Sequence, residues 1–113
     1  MHEPESIARE YFSRMRNGDL GVLDLFHDDA VLLGLGTRTS GKDAIREFYS
    51  TAIEEGGPKP SEPVTLLRSA TKEVAEVNIQ LRDGSNVHAI DLFEIEEGRI
   101  RTLTYFIADH PPA

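Results

Sequence analysis

Asn86-Val87-His88-Ala89-Ile90-Asp91-Leu92-Phe93-Glu94-Ile95 places one carboxylate among apolar residues in a stretch that reads as a strand. Successive side chains of an extended chain point to opposite faces, so Val87, Ala89, Asp91, Phe93 and Ile95 share one face. Asn86, His88, Ile90, Leu92 and Glu94 share the other. Asp91 then points into a core or a pocket. A carboxyl removed from water must be hydrogen-bonded, paired or protonated, so Asp91 requires a partner elsewhere in the chain or an unusual pKa.

Outward from this strand the period of two continues on both sides. Glu97-Gly98 is a hairpin signal leading to a strand over 100–108, and Asp83-Gly84 is a stronger two-residue signal joining it to 74–81. In the latter, Val77, Ile79 and Leu81 alternate with Glu76, Asn78 and Gln80. Residues 64–67 predict a further strand, and the second half reads as an antiparallel meander. Upstream, Gly56-Gly57-Pro58-Lys59-Pro60 breaks a helix and is too short to link two domains. That helix carries Ala44, Ile45, Phe48, Tyr49 and Ala52 on one stripe, and Ser40-Gly41-Lys42-Asp43 has the spacing of a capping box at its start. Gly34, Gly36, Thr37, Thr39 and Ser40 predict a loop, with a short strand over 30–33 before it. Asp19 can cap a short second helix with Leu20, Leu23 and Phe26 on one side. In the first helix Ile7, Ala8, Tyr11, Phe12 and Met15 recur at helical spacing, and Asn17-Gly18 stops it. Pro111-Pro112 ends regular structure. Helices first and strands afterwards predict an α+β domain in the order ααβαβββ, with N-terminal helices on a curved, mainly antiparallel sheet.

The whole chain of 113 residues has room for one domain, 1–113, with one core. Twelve Lys and Arg against twenty Asp and Glu give a net charge of −8. This excludes the basic footprint that nucleic acid or an anionic membrane surface requires, leaving small molecules and proteins as partners. With no cysteine there is no disulfide, thiolate nucleophile or Cys-based zinc site. His2, His27, His88 and His110 lack metal-ligand spacing, and no metal or cofactor is expected. The acidic start of the chain resembles no secretory signal and no run is long enough to span a bilayer, so the expected location is cytoplasmic. Ile90 and Leu92, with Ile100, Thr102, Thr104 and Phe106, make the second sheet face apolar enough to need cover, and three helices cannot cover both faces. A homodimer through that outer face is the economical solution, with His88 on its side.

Tyr11 in Arg-Glu-Tyr-Phe, Asn17-Gly18-Asp19-Leu20, Leu25-Phe26-His27-Asp28-Asp29-Ala30, Gly41 before Ala44-Ile45-Arg46-Glu47-Phe48-Tyr49, Ala89-Ile90-Asp91-Leu92-Phe93 and Gly98-Arg99-Ile100 occur in an order that resembles the nuclear transport factor 2-like superfamily. Within it the chain is most similar to the SnoaL-like polyketide cyclase and ketosteroid isomerase branch. The resemblance implies a cone-shaped domain whose helices and bent sheet enclose an apolar pocket. Ketosteroid isomerase uses an Asp base, a Tyr and a protonated Asp. By resemblance Tyr11 matches the oxyanion tyrosine, Asp91 the protonated acid and Tyr49 a supporting tyrosine. The base falls on Gly34, which has no side chain, and losing a general base forfeits about 10²- to 10⁴-fold of rate. Steroid isomerisation itself is therefore not expected, although a Tyr and a neutral Asp can still donate two bonds to one oxygen. A SnoaL-like cyclase uses an aspartate as base in the same type of pocket, a role open to Asp91 if it ionises.

The expected catalytic residues are Asp91 and Tyr11. Tyr11, Tyr49, Phe48, Phe93, Leu103, Tyr105 and Ile107 are the expected ligand contacts, Leu103, Tyr105 and Ile107 being placed inward by the resemblance. Two functional classes stand against each other: a pocket for an apolar ligand bearing a carbonyl or phenol, with isomerase- or cyclase-like proton transfer, and a non-catalytic dimerisation or accessory module with a closed core.

Overall fold

Helix α1, Ile7–Arg16, buries the predicted stripe of Ala8, Tyr11, Phe12 and Met15. Gly18 ends it at φ 63°, where the Asp19 N–H returns to the Arg14 carbonyl at 2.9 Å. The computed structural model describes residues 6–81 and 83–108; the readings at the acidic start of the chain, His2, His110 and Pro111-Pro112 lie outside them.

Asp19 caps the next element, as predicted, by accepting from the Gly21 N–H at 2.8 Å. That element is a 3₁₀ helix, Leu20–Leu25, and Phe26 belongs instead to strand β1, Phe26–Gly34. The spacing of three between Leu20, Leu23 and Phe26 is the 3₁₀ period, not the α period. The predicted loop after Gly34 is a hairpin: Leu35 and Gly36 turn at φ 53° and 73° into strand β2, Thr37–Ser40. Because Ser40 is still paired with Val31, it is not free to cap helix α2, Lys42–Glu54. That helix starts at Gly41, φ 89°, with no side-chain cap, and the expected capping box does not form. Ile45 and Tyr49 are its buried residues.

Two short strands, β3 at Lys59–Pro60 and β4 at Thr65–Arg68, precede the long strands β5, Lys72–Gln80, β6, Asn86–Glu96, and β7, Arg99–Ala108. They join one sheet of order β2-β1-β7-β6-β5-β3, with β4 also on β5. Only the β1–β7 pairing is parallel. The result is an α+β fold in which the helices pack on a strongly curled mixed sheet, the predicted class with β3 and the β2 hairpin added, β4 being the strand predicted over 64–67. The weaker turn signal proved the tighter turn. Glu97 and Gly98, at φ 53° and 79°, join the paired residues Glu96 and Arg99 directly, whereas Asp83-Gly84 sits within the longer loop 81–85 after the pair Gln80 and Asn86.

On the concave face of β6, Ala89, Asp91 and Phe93 are buried, as the alternation requires. Tyr11 and Phe12 meet Phe93 edge-on at ring-centroid distances of 5.3 and 5.7 Å. Ile100, expected on the outer face, is fully buried in the core instead; a register shift at Glu94/Ile95 turns it inward. On the convex face the ladders line up Leu67, Val74, Leu92 and Thr104 in one row and Thr65, Glu76, Ile90 and Phe106 in the next. His88 bonds Glu76 there at 2.6 Å. No helix among the described residues is long and apolar enough to cross a membrane.

Glu73 is a second buried acid on the concave face. Its Oε1 accepts from the Ser6 hydroxyl and, at 3.1 Å, from the Ala8 N–H, while Oε2 accepts from the Ile7 N–H at 3.3 Å. It holds the N-terminus of α1, where free N–H groups and the helix dipole favour an anion. The signal for it was the phase of Glu73 with Ala75 and Val77, hidden until the strand is begun at Lys72.

Candidate functional site

A cavity of about 320 Å³ opens between α1, α2 and the concave sheet. Helical spacing in α1 and α2 turns Tyr11 and Tyr49 toward one another, and their hydroxyls are 2.8 Å apart. The pair carries two hydroxyl protons and uses one between the rings, so one remains to be donated into the cavity. Burial, followed by the nearby Asp91 charge, holds the Tyr11 hydroxyl far above the usual phenol range. Burial does the same to Tyr49, followed by its neighbour Tyr11. Both stay protonated at any physiological pH and act as donors, not bases.

Asp91 faces the same space from the middle of β6 and is 4% exposed. Its Oδ1 is buried without a hydrogen-bond partner among the described residues. With burial acting alone, the carboxyl is pushed up to about 7. Near neutrality it is present both as an acid able to donate and as a carboxylate able to accept or remove a proton. Tyr11 and Tyr49 bond each other rather than Asp91, so Asp91 lines the cavity with its Oδ1 unsatisfied by any described residue.

Of the residues expected at the ligand, Tyr11, Phe48, Tyr49, Asp91, Tyr105 and Ile107 line the cavity. Phe93 and Leu103 do not: both are fully buried behind it, Phe93 as the support for the Tyr11 ring. Phe48 lies at the mouth, 43% exposed. Leu35, Thr37 and Pro58 also line the cavity and were not predicted. They lie in turns and at a strand edge, where neither helical nor strand periodicity assigns a direction. Gly34 is in the wall as well, and a Cβ on it would lie 2.3 Å from Cε2 of Tyr105. The tyrosine ring thus takes the space in which a side chain at position 34 would begin. Among the described residues no cluster of three or more metal-ligating side chains occurs.

The SnoaL-like domain profile matches residues 8–103. No curated protein matches the chain. Among solved structures, a provisionally named polyketide cyclase from Sinorhizobium meliloti is 25% identical, with a TM-score of 0.78 over 91% of this chain and 95% of that one. A provisionally named ketosteroid isomerase from Kribbella flavida is 20% identical, with a TM-score of 0.76 over 95% and 80%. An NTF2-like protein of unknown function from Cytophaga hutchinsonii is 12% identical, with a TM-score of 0.77 over 96% and 95%. The last two likenesses concern the fold alone.

Proposed function

The chain belongs to the SnoaL-like domain family of the NTF2-like superfamily, and from that premise we propose that it binds a small apolar molecule through a carbonyl or phenolic oxygen. The observation that carries this reading is the unpartnered, buried Asp91 carboxyl facing an open apolar cavity beside the Tyr11–Tyr49 hydroxyl pair. A ligand oxygen there accepts from the tyrosine pair and from protonated Asp91, replacing the bonds both groups lost on leaving water. The open volume favours this over an accessory module with a closed core.

The same groups support proton transfer of the isomerase or cyclase kind. Asp91 as carboxylate removes a proton beside the bound carbonyl, the hydroxyl pair stabilises the oxyanion that forms, and Asp91 returns the proton to a neighbouring carbon. Steroid isomerisation itself is not part of the proposal, since Gly34 offers no base and the Tyr105 ring fills its place.

Thermal melts with a panel of steroids, phenols and polyketide-like aromatics test the binding, a ligand at a hundredfold its Kd adding about 2.7 kcal/mol. Exchange of α-protons of a bound ketone for solvent deuterium, followed by NMR, tests the chemistry. Silence across the panel, with Asp91→Asn no weaker than the parent, sinks the reading. We also propose a cytoplasmic homodimer through the convex face, where Leu67 and Phe106 are 64% and 58% exposed in the aligned rows. Phe106→Arg should halve the mass in solution; an unchanged mass counts against that interface.

A further inference from the structure

Gly34, Tyr105 and Asp91 form a row across three strands: Gly34 pairs with Tyr105 between β1 and β7, and Tyr105 with Asp91 between β7 and β6. A Cβ at Gly34 would lie 2.3, 2.4 and 2.7 Å from Cε2, Cδ2 and Cζ of Tyr105. The ring is therefore tipped onto the β1 backbone, where only glycine admits it. Its edge lies on the β1 side of the row.

The Tyr105 hydroxyl has no hydrogen-bond partner among the described residues, although its ring is half-buried and lines the cavity. Burial, and then the Asp91 charge, keep its proton on, so it is a neutral donor. Thr37, paired with Gly34 across the hairpin, lines the same end. Besides Tyr11, Tyr49 and Asp91, the otherwise apolar wall thus carries two further polar side chains, Tyr105 and Thr37.

We propose that Tyr105, seated on Gly34, is the specificity-determining residue of the cavity, holding a second oxygen of the ligand. The preferred occupant then carries two oxygen functions on an apolar frame. This rests on the binding reading above and names the ligand class more narrowly. In it, Gly34 is the seat that admits the Tyr105 ring.

The test compares the affinities of 2-naphthol and 2,6-dihydroxynaphthalene for the full chain by calorimetry. One added neutral hydrogen bond predicts a preference for the diol of about fivefold after allowing for its two equivalent ends. Tyr105→Phe should abolish that preference, and Gly34→Ala, which displaces the ring while keeping the phenol, should abolish it too. Tight binding of both compounds with no preference in the parent, or a preference that survives both substitutions, overturns the role of Tyr105 and leaves the binding reading standing. Failure of both compounds to bind the parent overturns both.

Discussion

Asp91 and Glu73 lie on the concave face of adjacent strands, 4% and 3% exposed, yet their surroundings differ completely. Glu73 meets the start of α1, where the Ser6 hydroxyl and the N–H groups of Ile7 and Ala8 converge on its two oxygens. Asp91 meets aromatic rings and empty volume, and its Oδ1 meets no donor. Equal burial thus produces a fully hydrogen-bonded strut in one place and a proton-carrying group near neutrality in the other. What separates a site from a strut is whether the fold supplies the hydrogen bonds that water supplied before.

Substitutions by the neutral amides should therefore have opposite signs. For Asp91 the folded pKa of about 7 lies above the ordinary 3.8, so the folded state retains the proton as pH rises while the unfolded chain releases it. Stability is unaffected below about pH 4, falls between pH 4 and 7, and stays low above. Asp91→Asn removes that loss: denaturant unfolding should show a gain approaching about 4 kcal/mol at pH 8, shrinking to nothing near pH 4. A variant less stable than the parent at pH 8 would mean that Asp91 has found a partner in solution and that the contrast with Glu73 is false.

Glu73→Gln presents an amide N–H₂ to a cluster of donors and should cost about 2–3 kcal/mol at pH 7, read from the urea midpoint. A neutral result would show that α1 is capped equally well by water. The smallest effect isolates one bond of that cluster. Ser6→Ala removes the hydroxyl that donates to Glu73 and accepts from the Arg9 N–H, and about 1 kcal/mol should be lost, mostly as fraying of the first turn seen by hydrogen exchange.

Much of this was legible in the chain. Helical spacing put Tyr11 and Tyr49 on buried stripes, and strand alternation turned Asp91 inward with the correct neighbours. Local reading failed where one element interrupts another. Ser40 has capping spacing but is held in β2, Ile100 is turned inward by a bulge, and Phe93 and Leu103 lie inward but behind the cavity. Glu73 escaped because its partners are more than sixty residues earlier, in a helix whose start no periodicity connects to β5.

The sequence by itself determined the α+β class, the faces of the long strands, the acidic net charge and the lack of any thiol, and the presence of one acid among apolar neighbours. These depend on side-chain period and composition, which are properties of each segment alone. Only the tertiary structure decided that Asp91 lacks a partner, that Tyr11 and Tyr49 bond each other, and that Tyr105 rests on Gly34. Those outcomes depend on ladder register and on how two helices settle against a curled sheet. They are set by the packing of distant segments together, and no one segment encodes them.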